Sequence, residues 1–499
     1  MAPIIPIGSA TASPSEVNFI AMPTELAEAL QREVTDFRQQ PVTPQRTCAF
    51  EQKVAEIYRE AGRALLEQEY NAIEPEHRQD CPVRLRYVGQ EYKRRPKSRN
   101  TIGTLFGEIE LWRYLYEPLE AGERAIFPVE LQLGVEAGLA TPALAERVGF
   151  WSAEQEQEQV LTLLREHGVS WSVASLRKVA AALRDGMASF REAAQVTKVL
   201  QWLATADHSR GRHRPVLAAG RDGIHVPMRS AGYHEGATAT LSVLDRRGKR
   251  VGTIYLGQMP EAGQETLTAQ LTALLSKVLA QWHAGGGRKP RLEYITDGGH
   301  HPKEYHKKVL RHMPDPWRAG HKLSWQWVVD FWHACAYVHD LAVALFGEGA
   351  KAEQWYRKWR RWLRDRHQGV AQVVRSAMWH HNNGRKLSKA KEELYWTAHR
   401  YLRKHAAWMQ YADYRRHGLH IGSGVTEAAC KTVFAERLKR SGMTWGQAGG
   451  QVILDMRVLV LSGVWHEVHA AYLASRRQPT VEKPASHRDY PTRILNSAA

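Results

Sequence analysis

The sequence predicts an α/β protein that carries an all-α insertion and is preceded by an α+β and helical N-terminal region. Three observations predict it. From residue 215 three strand-like runs follow one another, and helix, strand, helix and strand succeed them. The segment from about 333 to 418 reads as helix throughout. Ahead of residue 200, alternating runs at 81–116 are flanked by helical patterns. At 499 residues, with a hydrophobic fraction of 43%, the chain is long enough for two or three domains with proper cores.

Residues 1–22 are rich in Pro, Ser and Ala and are expected to be disordered. Residues 23–75 place Val54, Ile57, Tyr58, Leu65 and Leu66 at helical spacing. The runs Val83–Val88 and Gly107–Tyr116 alternate as strands do, and Lys93–Arg99 between them reads as a basic loop. Such a loop is either a solvated turn or, beside a β-ribbon, a grip on phosphates. Over 127–200 the pattern is of short helices joined by glycine turns. One is Thr141–Gly149, a second Ala153–His167 before Gly168, and a third starts at Ser172. This fits a helix-turn-helix, as it would any small helical bundle.

Beyond 213 the periodicity changes. Asp222 lies in the strand-like run Val216–Val226. The runs Thr238–Leu244 and Arg250–Leu256 flank the turn Asp245–Gly248 and read as a hairpin. A long amphipathic helix spans Glu265–His283, and a fourth strand, Leu292–Asp297, precedes Gly298 and Gly299. After a helix near Lys303–His312, a fifth strand, Trp325–Asp330, runs into a helix through Phe331, Trp332 and His333. Three antiparallel strands, helix, strand, helix, strand is the order of a ribonuclease-H-like fold. There the centre of the first strand and the end of the fourth lie side by side, so Asp222 and Asp297 are expected to meet. The 130 positions from Asp297 to Glu427 are too many for a simple loop. Residues 333–418 are therefore assigned to a helical insertion, and 213–332 with 419–470 to the core. The segment 475–499 is polar and Pro-bearing, and is expected to be a flexible tail.

Charge narrows the class. The 69 Lys and Arg against 52 Asp and Glu give +17 and a pI near 9.7, which suggests a polyanionic partner. No run of 18 apolar residues exists, so no membrane partner is expected, and the N-terminus lacks the pattern of a signal peptide. Cys48, Cys81, Cys335 and Cys430 form no CxxC pair, which suits a reducing cytoplasm. The 24 histidines include no HExxH, which argues against a His-rich metalloenzyme.

Three acids stand out as candidates for chemistry. A strand rarely buries a charged residue without a partner, which marks Asp222; pairing with Arg221 or an Asp-Gly turn would also explain it. Asp297 opens Asp-Gly-Gly, where backbone can approach a ligand, or where the strand simply turns. Glu427 starts a helix just past Gly422-Ser423-Gly424. Its competitor Glu436 lies nine residues on, on the opposite side of a regular helix, and an ion pair with Arg440 explains it. His300 and His301 read as surface groups.

Taken together, Arg221–Arg229, Ile295–Gly299, the pair Asp330 and His333 in Asp-Phe-Trp-His-Ala-Cys, Gly422–Glu427, Lys431 and Arg437–Trp445 resemble the DDE transposases of bacterial insertion sequences, in the Mutator-related, Kra-type group. The resemblance covers roughly 215–470. It implies that Asp222, Asp297 and Glu427 hold two Mg²⁺ (or Mn²⁺) ions that drive hydrolysis and strand transfer at phosphate. It implies double-stranded DNA as partner, both terminal inverted repeats and target. It also implies at least a dimer, a nucleoid-associated location, and a DNA-end-binding role for 23–200 with a helix-turn-helix-like part at 127–200. Asp330 and His333 would stand behind the metal ligands or near the scissile bond; a buried Asp–His hydrogen bond would account for them equally. Lys431, Arg437, Lys439 and Arg440 are the expected phosphate contacts near Glu427. Arg357, Arg361 and Arg364 form a stripe opposite Trp355, Trp359 and Trp362 and are a second candidate DNA face. Relatives with an upstream CxxC find no counterpart in Tyr116–Gly122. A structure-specific nuclease or resolvase, and a non-catalytic DNA-binding protein, are the competing readings.

Overall fold

A computed structural model describes residues 22–476 apart from 121, 123, 230 and 231, together with the backbone of 5–6, 480–481 and 492–495. The remaining parts of the two terminal segments lie outside the described residues. The chain forms two compact units. One comprises Met1–Ala188 with Glu467–Ala499, and the other Ser189–His466.

In the first unit, helices α1 (Thr24–Gln39) and α2 (Pro44–Ile73) precede the strands β1 (Arg84–Tyr87), β2 (Gln90–Thr104) and β3 (Gly107–Pro118). The antiparallel ribbon β2–β3 is longer than the sequence suggests, because Lys93–Arg99 is strand and not loop. A register shift between Arg94 and Lys97 accommodates Pro96, whose missing N–H is tolerated at a bulge. Helix α2 caps the edge of β3: Asn71 Oδ1 accepts from Trp112 N–H at 2.7 Å and Glu74 Oε1 from Tyr114 N–H at 2.8 Å. After α3 (Pro128–Leu133) come α4 (Pro142–Glu154), α5 (Gln157–Glu166) and α6 (Val173–Asp207), and the unit boundary falls inside α6. Leu144, Val148, Val160, Leu164, Leu176 and Val179 of the last three form one apolar cluster. The helix break expected at Gly149 falls instead at 155–156. Gly149 is buried within α4, and a capping box between Glu156 and Gln159 starts α5.

The second unit is built on a five-stranded mixed sheet. Strands β4 (Val216–Met228), β5 (Gly232–Leu244) and β6 (Arg250–Gln258) are antiparallel neighbours. After α7 (Glu265–Ala284), β7 (Arg291–Thr296) pairs parallel with β4. After α8 (His300–Lys308), β8 (Gln326–Val329) pairs parallel with β7, giving the order β6-β5-β4-β7-β8. On one face Arg221 reaches α7 and the loop before it, through Thr268 Oγ1 at 2.9 Å and Gln264 Oε1 at 3.0 Å. Helices α9 (Phe331–Phe346), α10 (Ala350–Asp365), α11 (Gly369–Asn383), α12 (Lys389–His405) and α13 (Tyr411–Arg416) follow. Within them Trp355 and Trp359 are buried while Arg357 and Arg361 face solvent, which is how a helix with opposed apolar and basic stripes should lie.

The chain then returns to the sheet as α14 (Gly424–Ala429), a π-helical turn (Cys430–Ala435) and the short α15 (Glu436–Leu438). The regular-helix reckoning that set Glu436 opposite Glu427 therefore fails, because the π turn changes the angular step. The Glu436 carboxylate lies 3.6 Å from Arg457, on α16 (Gln447–Leu461). Helix α17 (Trp465–Ser475) is the last of the described helices. No single described helix is long and apolar enough to cross a membrane.

Candidate functional site

Strand register brings the site together. In the β4–β7 ladder Val216 stands opposite Arg291 and Gly220 opposite Ile295. Asp222 and Asp297 continue that offset two levels further on. In the β7–β8 ladder Glu293 stands opposite Gln326 and Thr296 opposite Val329, so Asp330 is the next partner of Asp297. Its N–H donates to the Thr296 carbonyl at 2.8 Å. Three acids thus occupy one row across three adjacent parallel strands, in the middle of β4 and just past the ends of β7 and β8. Neighbouring strands lie about 4.8 Å apart, so the row spans roughly 10 Å. Residues two apart share a face, and Gly220, on the Asp222 face, looks toward α14.

Glu427 arrives on that helix. A Cβ at Gly220 would stand 2.0 Å from Thr426 Oγ1, so only glycine allows α14 to sit this close. Thr426 Oγ1 and Thr240 Oγ1 lie 2.8 Å apart across the same contact. Ser423 Oγ donates to Glu427 Oε1 at 2.6 Å. Ser423 N–H in turn donates to Asp330 Oδ2, while Asp330 Oδ1 caps α9 by accepting from His333 N–H at 2.6 Å. Asp330 is fully buried, and each of its carboxylate oxygens accepts from a backbone N–H. It acts as a clamp: it joins the end of β8, the start of α9 and the loop that orients Glu427. Asp330, His333 and Glu427 offer ligand atoms within 4.8 Å of one another.

The electrostatics are those of crowded carboxylates. Burial pushes the Asp222 carboxyl up, and the charges of Asp297 and Glu427 push in the same direction. Opposing them, Cys430 Sγ donates to Asp222 Oδ2 at 3.3 Å and Gly223 N–H to Oδ1 at 2.8 Å. The Cys430 thiol is pushed up by burial first and then by all three acids, so it stays protonated and serves as a donor. Asp297 Oδ1 accepts from Gly299 N–H at 2.8 Å, and its carbonyl accepts from the Tyr401 hydroxyl at 2.6 Å. Gly298, at φ +84°, makes the turn that leaves the Asp297 side chain at the strand end.

The sequence-predicted residues separate cleanly. Asp222, Asp297 and Glu427 share one electrostatic neighbourhood, and Asp330 and His333 adjoin Glu427. Lys431 and Lys439 are exposed and Arg440 is half-buried. Arg437 is a correction: at 1% exposure it is a core residue, with its guanidinium 5.3 Å from the Trp445 ring, and does not present itself to a phosphate. Arg357 pairs with Glu353 and Arg364 with Asp365, while Arg357 and Arg361 are both exposed on that face. The sequence reading missed Ser423, Cys430 and Tyr401. The spacing of Cys430 from Glu427, three residues along a helix, was the available signal for one of them.

No model of a known protein family matches the chain, and no curated protein is significantly similar to it.

Proposed function

We propose that the protein is a DDE-type DNA transposase that cleaves the ends of a mobile element and joins them to target DNA. The observation that carries this reading is the in-register row of Asp222 and Asp297 with Glu427 delivered above it on α14. The strand order, with its second strand antiparallel and a long helical segment before the last acid, supports a ribonuclease-H-like core with an insertion. The surplus of +17 suits a nucleic-acid partner.

The donor set fits divalent cations. Asp222, Asp297 and Glu427 supply hard carboxylate oxygens, and the mutual repulsion that raises Asp222 is what a bound dication relieves. When bound, two Mg²⁺ ions supply an activated nucleophile and charge stabilisation at the leaving oxygen. The protein's own groups do the rest. The Gly299 N–H and the Tyr401 hydroxyl hold the Asp297 segment, and Asp330, through Ser423, fixes the rotamer of Glu427. The Cys430 thiol holds Asp222 Oδ2 toward the site. Lys431 and Lys439, exposed beyond Glu427, take backbone phosphates.

The test is cleavage of duplexes that carry the DNA bordering the reading frame. Wild type is expected to cut them in Mg²⁺. Asp297→Asn is expected to abolish cutting while binding them within a few fold of wild type. Full cleavage by that variant would contradict the metal role.

A further inference from the structure

Glu293 stands on β7 four residues before Asp297, on the same face by strand alternation and about 13 Å down the strand. It is 0% exposed, and neither carboxyl oxygen makes a hydrogen bond of good geometry. The His420 backbone N–H lies near enough to favour its charged form without completing one. A buried carboxyl in that state costs free energy until a partner reaches it. Glu293 borders a cavity of about 20 Å³, shared with Thr240 and Ser242 of β5, Ser423 of the preceding loop and Thr426 of α14. About 10–15 Å³ is enough to admit one water. The walls also carry spare donors. The hydroxyls of Thr240 and Thr426 face each other at 2.8 Å, as do those of Ser242 and Thr253, and each pair consumes only one of its two protons.

The loop over this cavity places a catalytic acid. Its edges are pinned in three places. His420 Nε2–H donates to the Gly248 carbonyl at 2.8 Å, the Ile421 carbonyl accepts from Phe331 N–H at 2.8 Å, and Ser423 N–H donates to Asp330 Oδ2. Ser423 Oγ then holds Glu427. The underside of the loop lies over Glu293.

We infer that Glu293 is a positioning residue of the cleavage site: it binds one buried water that bridges its carboxyl to the Thr240–Thr426 pair and the 420–423 loop, and so fixes the seat of α14 and Glu427 on the sheet. The inference rests on the DNA-cleaving reading above and adds what supports Glu427 from below. Burial keeps the carboxyl neutral, so its O–H donates to the water while its other oxygen accepts. The water completes its set with the spare hydroxyl protons.

The test compares Glu293→Gln, which keeps the shape and both kinds of hydrogen-bonding atom, with Glu293→Leu, which keeps most of the volume and neither. A thermal melt checks that each variant is folded. Anisotropy with a labelled duplex carrying the bordering DNA, in EDTA, reads binding, and single-turnover cutting in Mg²⁺ reads the rate. High-resolution crystals of metal-free wild type and both variants read the water itself. Density for one water within hydrogen-bond distance of residue 293 and of Thr240 or Thr426 is expected in wild type and Glu293→Gln, and none in Glu293→Leu. Cutting is expected within about threefold of wild type for Glu293→Gln and about tenfold slower for Glu293→Leu, with DNA affinity within about twofold for both. A dry cavity in wild type, a wild-type rate in Glu293→Leu, or a Glu293→Gln as slow as Glu293→Leu would overturn the positioning role and leave the wider reading intact. If Glu293→Leu does not fold, the wild-type density and the Glu293→Gln rate decide. No cutting by wild type would overturn the DNA-cleaving reading and the positioning role with it.

Discussion

Placement of Glu427 rests on the close approach of α14 to β4, and Gly220→Ala tests it. The new methyl would stand 2.0 Å from Thr426 Oγ1 and 3.1 Å from Thr240 Oγ1. Ordinary carbon–oxygen contact needs more than 3 Å, so α14 must withdraw by about 1 Å or Thr426 must leave its rotamer. Overpacking of this kind costs about 1–3 kcal/mol of stability. A displacement near 1 Å at a catalytic group costs about 10²-fold in rate. Urea denaturation and Mg²⁺-dependent cleavage read the two effects separately. Thr426→Ala removes the oxygen that clashes and leaves its Cβ 3.1 Å from the new methyl, so the double variant is expected to recover most of the lost rate. Thr426→Ala alone costs about 1 kcal/mol through the hydrogen bond with Thr240. Wild-type stability and rate in Gly220→Ala would refute the packing on which the Glu427 argument depends.

Three further outcomes are expected. Ser423→Ala frees the Glu427 carboxylate and should slow cleavage about tenfold with DNA affinity unchanged; an unaltered rate would remove Ser423 from the positioning chain. Glu293, fully buried on β7, has its carboxyl raised well above the usual range by burial. The folded chain therefore keeps a proton that the unfolded chain releases, and stability falls by up to about 1.4 kcal/mol per pH unit as pH rises from the unfolded pKa to the folded one, and no further beyond it. Glu293→Gln should flatten that slope in denaturation curves at pH 6, 7 and 8; parallel slopes would show the carboxyl ionised in the fold. Lys431→Ala should weaken DNA binding and reduce the salt slope by about one, and an unchanged slope would take Lys431 off the phosphate backbone.

Much of the second unit was legible in the sequence because its signals are local. The hairpin β5–β6 is announced by alternation and an Asp-Arg-Arg-Gly turn, and α7 by its long apolar stripe. Asp222 and Asp297 were recoverable from strand order alone. What was not legible depends on distant partners. Asp330 stands out in the sequence only through its spacing from His333; that it caps α9, and that its second partner is Ser423, 93 positions away, depends on the fold. Arg437 sits in a basic run that looks solvated, yet the π turn before it and Trp445 after it carry it into the core. Lys93–Arg99 has the composition of a loop, and only the pairing of β2 with β3 makes it strand. Tyr401 reaches the Asp297 carbonyl from the fourth helix of the insertion, a contact that no spacing rule reports.

Convergence of three carboxylates on shared divalent cations is the central claim. Diffraction from crystals grown with Mn²⁺, recorded at the manganese absorption edge, tests it most directly. The account predicts anomalous density within coordination distance of oxygens of Asp222 and Asp297, with Glu427 completing the set. Manganese bound elsewhere, or carboxyl groups of 222, 297 and 427 too far apart to share an ion pair, would contradict it.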